Sequence, residues 1–141
     1  MTAFDDLSPY TYLSGSIPPG ICVLNVGWLG EGQDHPVGEV PAEFLEKLGT
    51  LCADGTHARM RGWHPCPLPH ASGKPPYPVT IEAAGRRLAL GGAEVRVVDR
   101  SGAWLAAPDL IHHYVDAHRY LPPEAFVEAV ISGRTVGDHP R

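Results

Sequence analysis

The stretch VTIEAAGRRLALGGAEVRVVDRSGAWLA, residues 79–106, contains four short apolar runs separated by glycine-bearing links. Runs of this length with turn residues between them are typical of strands. We predict strands over residues 79–83, 86–90, 93–98 and 103–106. The links Ala84-Gly85, Gly91-Gly92 and 99–102 are too short for crossover helices and favour an antiparallel meander.

The rest of the chain predicts helices that cover this sheet. Apolar residues recur with helical spacing between residues 41 and 54, and two further helices are predicted at about 109–120 and 123–132. A strand is predicted at 21–29 and a short one at 59–63. The expected fold class is therefore α+β, with a small antiparallel sheet of four to five strands packed against two to three helices.

Length and composition predict a single globular domain over residues 1–141. The chain has 141 residues, of which 43% are hydrophobic and 19% charged, as in folded domains. Within it we expect an irregular N-terminal arm at 1–20, with Tyr10 and Tyr12 as aromatic anchors, and a flexible tail at 133–141.

Charge and targeting signals exclude several classes of protein. The net charge of -5 argues against binding nucleic acid through phosphate contacts. No apolar run reaches the roughly 18 residues that span a membrane, and the acidic N-terminus does not match a signal peptide. The three cysteines are too few and odd in number for a disulfide scaffold, so we expect a cytoplasmic protein with reduced thiols.

The loop His64-Pro65-Cys66, with His70 close behind, is the densest group of candidate metal ligands. An imidazole and a thiolate two residues apart can chelate one ion, and both suit zinc. The pair is only half of a site, because zinc needs three or four ligands. A second set must come from elsewhere in the chain.

The predicted helix at 109–120 offers that second set. His118 falls in the middle of the apolar face formed by Leu110, Ile111, Tyr114 and Val115. A buried imidazole needs either a hydrogen-bond partner or a metal, so a core histidine and a ligand or acid–base group remain alternatives. His113 falls toward the polar side and would join His118 only where the helix end is distorted or borders a pocket.

Several strings along the chain resemble an uncharacterised family of small proteins common in streptomycetes and related actinobacteria. These are LNVGWL at 24–29, MRGWHPC at 60–66, APDLI at 107–111, and HYV at 113–115 with His118, Tyr120 and Pro122-Pro123. The resemblance implies a cytosolic protein of actinobacterial type and brings no established activity. Relatives often continue H-x-C into H-x-C-x-x-C, whereas Pro69 stands at the last position here. This departure argues against a structural zinc site unless His70 substitutes, and it leaves open an incomplete, catalytic coordination shell or no metal at all.

Three functions remain open from the sequence. The first is a metal-binding domain, with zinc held by His64, Cys66, His70 and His118 and with catalysis undecided. The second is a metal-free biosynthetic or peptide-modifying enzyme that uses His118, Cys66 or His113 in acid–base or nucleophilic chemistry. The third is a non-catalytic interaction or immunity-type protein, which would contact its partner through an exposed sheet edge or the arm with Tyr10 and Tyr12. A small molecule or a peptide is the expected partner, with neither nucleic acid nor membrane, and the oligomeric state is left open.

Overall fold

The computed structural model describes residues 3–11, 15, 17–71, 73–74 and 76–136. Within these residues the chain forms strands and helices in this order: β1 (Val23–Asn25), α1 (Ala42–Asp54), β2 (Thr56–His57), β3 (Thr80–Ala83), β4 (Arg86–Ala89), β5 (Glu94–Val98), β6 (Trp104–Pro108), α2 (Ile111–His118) and α3 (Glu124–Ser132). Among the helices of this described part, none is both long and apolar enough to cross a membrane. The predicted α+β class is confirmed.

The strands form two sheets rather than one meander. Four of them pair in the order β1-β6-β5-β2, and β3 pairs with β4 in a separate hairpin. The larger sheet is mixed, because β1 runs parallel to β6 while the other pairs are antiparallel. The prediction of an all-antiparallel sheet is therefore wrong in this detail.

The Gly91-Gly92 link explains why β4 and β5 do not pair. A Cβ on Gly91 would lie 2.6 Å from the carbonyl oxygen of His64, and one on Gly92 would lie 2.8 Å from that of Gly62. Residues 60–64 therefore pack directly on the link, and the amide of Met60 donates to the carbonyl of Gly92 at 2.6 Å. Glycine is needed here for close backbone approach, which a tight hairpin would not permit.

Helix α1 covers one face of the larger sheet. It begins after Pro41, whose backbone is extended, and ends at Asp54 before Gly55, close to the predicted limits. Its buried side includes Phe44, Leu48 and Cys52, and the Phe44 ring meets Phe126 of α3 edge to face at 6.1 Å. Cys52 belongs to the core, since it is 1% exposed.

The N-terminal arm covers the opposite face. Its backbone pairs with β1, through the amide of Tyr10 to the carbonyl of Val23 at 2.9 Å. The Tyr10 hydroxyl donates to Glu94 at 2.8 Å, and Glu94 forms a buried ion pair with Arg96 at 3.1 Å. Tyr10 thus faces the protein interior, whereas Tyr12 lies outside the described residues.

Two further predictions differ from the structure. The strand predicted at 59–63 is wrong, since the paired segment is β2 and the chain leaves the sheet at Ala58, which has a φ of 52°. Beyond Gly133 the prediction places a flexible tail, yet residues 134–136 hydrogen-bond to β5, with the amide of Val136 donating to Arg96 at 2.9 Å. Residues 137–141 lie outside the described part.

Candidate metal centre

Four potential metal ligands from two parts of the chain converge at one point. Cys66 and His70 come from a long irregular segment, and His113 and His118 come from α2. One ligand atom from each residue can be chosen so that all four lie within 4.8 Å of one another. The Sγ of Cys66 is 3.5 Å from Nε2 of His118. The Nε2 of His70 is 3.3 Å from Nε2 of His118 and 3.2 Å from Nε2 of His113.

These separations match the edges of a zinc coordination tetrahedron. With bonds of about 2.0–2.1 Å to nitrogen and about 2.3 Å to sulfur, tetrahedral angles place two nitrogens about 3.3 Å apart and a nitrogen and a sulfur about 3.5 Å apart. The three distances above agree with these values to within about 0.2 Å. Three of the six donor separations thus fit the edges of such a tetrahedron, and the other three are no wider than 4.8 Å.

The irregular segment owes its position to a chain of hydrogen bonds that starts at Asp109. Oδ1 of Asp109 accepts from the amide of Gly91 at 2.7 Å, and the carbonyl of Gly91 accepts from the amide of His64 at 2.9 Å. His64 is two residues before Cys66, and Asp109 is two residues before the start of α2. These two hydrogen bonds, which we call the Asp109 relay, hold the loop with Cys66 against the helix with His113 and His118.

His70 contacts both histidines of α2, His113 and His118. Residues five apart on a helix point about 140° away from each other, so their imidazoles alone make a poor chelate. The His70 ring stacks on His113 with centroids 5.4 Å apart and meets His118 edge to face at 4.7 Å. Helix α2 ends directly after His118, at Arg119, which has the left-handed conformation with a φ of 55°.

Burial favours the neutral form of the His113 and His118 imidazoles. It lowers the pKa of His113 to about 4, and the nearby His118 and His70 lower that pKa further. The pKa of His118 is also lowered, mainly by burial. A neutral imidazole has a free lone pair, which is the form that binds a metal.

A family model described as a domain of unknown function, DUF7919, matches residues 2–131. The chain belongs to the DUF7919 family. The predicted resemblance to an uncharacterised family is confirmed at that level. Neither the curated proteins nor the solved structures provide a significant match. The DUF7919 description names no activity, so the functional proposal depends on the geometry of the site.

In this DUF7919 domain the structure brings together most of the residues that the sequence singled out. Cys66, His70 and His118, expected as ligands, lie in the cluster, and His113, expected as a catalytic residue, completes it. His64 lies outside this group and lines a separate cavity. The group that could hold an ion thus contains His113 and not His64.

The positioning role of Asp109 was not predicted from the sequence. The structure shows instead a nearly fully buried carboxylate that holds Gly91. The signal available in the sequence was the acidic residue in an otherwise apolar run, Ala106 to Ile111. A buried carboxylate is rare without a specific partner.

Proposed function

We propose that this DUF7919 domain binds a zinc ion through Cys66, His70, His113 and His118. The observation that carries the proposal is the convergence of these four donor atoms within 4.8 Å of one another. A thiolate with imidazoles is a ligand set typical of zinc, and its softness disfavours magnesium and calcium. Both parts of the chain that supply ligands are held in place by the Asp109 relay.

The ligand count supports a structural zinc rather than a catalytic one. Four protein ligands complete a tetrahedron, whereas catalytic zinc keeps one position for water or substrate. The described part of residues 58–79 contains neither helix nor strand, and segments of this length need another source of order. Zinc would join this segment to α2 and stabilise both.

The same geometry gives less support to a metal-free enzyme in which Cys66 is the nucleophile. Cys66 and His118 are 3.5 Å apart, as a thiol and its base would be. However, burial raises the pKa of the Cys66 thiol and lowers the pKa of His118. The proton therefore stays on sulfur, and the reactive thiolate is disfavoured.

For the interaction-protein hypothesis, one expected contact surface is covered, whereas β2 forms the other edge of the larger sheet and β3 and β4 form a separate hairpin. The expected contact surfaces were an exposed sheet edge and the aromatic arm. The arm itself pairs with the edge strand β1, and the Tyr10 hydroxyl is hydrogen-bonded to Glu94. A covered strand edge offers no free backbone groups to a partner.

Metal content tests the proposal directly. Tag-free protein purified without chelators is measured by elemental mass spectrometry, alone and after incubation with zinc. We expect about one equivalent of zinc in the wild type and less than about 0.2 equivalents in Cys66→Ser and in His113→Ala. Each variant keeps only three of the four ligands and should therefore bind zinc far more weakly. His112→Ala is the matched control on the same helix and should retain the metal.

His64→Ala separates the two ligand sets. It should retain zinc if His113 is the fourth ligand and lose zinc if the sequence-based set is correct. A folded wild-type protein that takes up less than about a tenth of an equivalent from added zinc would overturn the proposal.

A further inference from the structure

A cavity of about 180 Å³ lies between the N-terminal arm and residues 58–64. Among the described residues that line it, none belongs to the metal centre. His64 does line it, and His64 is the one metal ligand expected from the sequence that the zinc proposal does not use. The volume is comparable to a cavity of about 150 Å³ that holds benzene in another protein, so the cavity has room for one aromatic ring.

Apolar and aromatic residues form much of the wall, including Phe4, Trp28, Met60 and Pro108. The rings of Phe4 and Trp28 meet edge to face with centroids 5.8 Å apart. Trp28 is 4% exposed, and its indole N–H donates to the carbonyl of Ala106 at 2.9 Å. Edge-to-face and offset contacts are the arrangements that aromatic rings prefer, so this part of the wall suits an aromatic ligand.

The two carboxylates of the lining are engaged within the protein. Both oxygens of Glu94 accept from the Tyr10 hydroxyl, at 2.8 and 2.9 Å, and Oε1 also pairs with Arg96. Oδ1 of Asp109 accepts from the amide of Gly91, and Oδ2 is buried. Among the described lining residues none is lysine or arginine. The wall therefore offers neither a cation nor an anion a partner of opposite charge, and it favours a neutral ligand.

His64 supplies a polar side chain to the cavity. Its amide donates to the carbonyl of Gly91 at 2.9 Å, which fixes the backbone of the residue. Its half-buried imidazole has no hydrogen-bond partner within the part of the chain that the structure describes. Burial lowers the pKa of His64, and the positive charge of the N-terminal amine lowers it further. At neutral pH the ring is therefore uncharged and offers one donor and one acceptor nitrogen.

A ligand that covered the His64 imidazole without bonding to it would leave a polar group buried and unpaired, which weakens binding. A hydroxyl group can both donate and accept, so it pairs with either tautomer of the neutral ring. We propose that this cavity binds a small neutral phenol, with its aromatic ring against Phe4 and Trp28 and its hydroxyl group hydrogen-bonded to the imidazole of His64. The site is distinct from the metal centre and needs no metal ion.

Phenol and toluene are the matched probes for this site. They have nearly the same shape, both are neutral at pH 7.5, and only phenol has a hydroxyl group. We expect phenol to bind the wild type with a dissociation constant below about 1 mM in NMR titrations. It should shift the indole N–H signal of Trp28 and leave the signals of α3 unchanged.

Variants of His64 test the role of the imidazole. His64→Leu should weaken phenol binding by about five-fold or more and change toluene binding by less than about two-fold, because only phenol loses a hydrogen bond. His64→Gln keeps a donor and an acceptor and should bind phenol nearly as well as the wild type. His35→Leu, which removes a half-buried histidine outside the cavity lining, is the matched control and should bind both probes normally. An equal loss of phenol and toluene binding in His64→Leu would contradict the hydrogen bond.

Charged probes of similar size test the preference for a neutral ligand. Benzoate and benzylamine should both bind the wild type at least about ten-fold more weakly than phenol at pH 7.5. No binding of phenol at millimolar concentration, no response of Trp28, or tighter binding of either charged probe would each overturn the proposal, even if the His64 variants fail to fold. His64→Leu should contain as much zinc as the wild type, so its metal content and its phenol affinity test the two proposals separately.

Discussion

At the scale of single residues, Asp109 connects more of the molecule than any other side chain described above. Its carboxylate holds Gly91, and its own amide donates to the carbonyl of Ala93 at 3.0 Å. Burial raises the pKa of Asp109 to about 6, and hydrogen bonds from Gly91 and Ala93 counteract part of that rise. The residue thus keeps the loop in place at a cost in electrostatic free energy.

This cost predicts a pH dependence of stability. The pKa of Asp109 is higher in the folded state than in the unfolded state, so the folded state binds more protons between pH 4 and pH 6. The free energy of unfolding therefore falls as the pH rises through this window, and a shift of about two units corresponds to a loss of about 3 kcal/mol. Asp109→Asn should lack this loss.

Urea titrations of both proteins at a series of pH values, with chelator present throughout, measure the effect. The wild type should lose stability relative to the variant from pH 4 to pH 6 and run parallel to it above pH 7. Curves that are parallel over the whole range would show that the carboxylate is not buried at a cost.

At the scale of elements, α2 ends directly after His118 in a backbone conformation that is unusual for a residue with a side chain. Arg119 ends the helix in the left-handed conformation, and its amide donates to the carbonyl of Tyr114. Left-handed geometry is unfavourable for a residue with a Cβ, and glycine is the usual residue there. The helix therefore ends at His118, and the backbone of Arg119 is locally strained.

Arg119→Gly should relieve this strain. We expect it to be more stable than Arg119→Ala by about 1 kcal/mol, since both variants remove the exposed guanidinium and only glycine tolerates the positive φ. Urea midpoints of the two variants give the difference, and zinc content should be the same in both. An alanine variant as stable as the glycine variant would contradict the described helix end.

Strand β5 shows how an element can be predicted correctly and its environment missed. The alternation of Glu94, Val95, Arg96 and Val97 predicts one buried and one solvated face. In the structure all four side chains are buried, because the N-terminal arm covers the polar face and Tyr10 contacts Glu94. Periodicity gives the direction of each side chain but contains no information about which distant segment covers it.

At the scale of the whole molecule, zinc would join the irregular segment to the helical layer. Removal of zinc should lower the free energy of unfolding by about 2.7 kcal/mol where free zinc is 100-fold above its dissociation constant. For a chain of this size the melting temperature should fall by roughly 10 °C. Thermal unfolding with and without chelator measures this change.

Hydrogen exchange shows where the stabilisation is located. Peptides from the described part of 58–79 should exchange at least about ten-fold faster after chelation, whereas β5 and β6 should change little. Cys66→Ser without chelator should reproduce this pattern. Uniform faster exchange throughout the chain would contradict a local role for the metal.

By itself the sequence determined the α+β class, the three helices and most strands, because apolar spacing, prolines and glycines act locally. It also identified Cys66, His70, His113 and His118 as candidate site residues, since few side chains have their chemistry. Only the tertiary structure decided which of them meet. The position of the loop with His64 and Cys66 against α2, which contains His113, depends on the hydrogen bonds from Asp109 to Gly91 and from Gly91 to His64. Such contacts join residues far apart in the chain, and no local pattern encodes them.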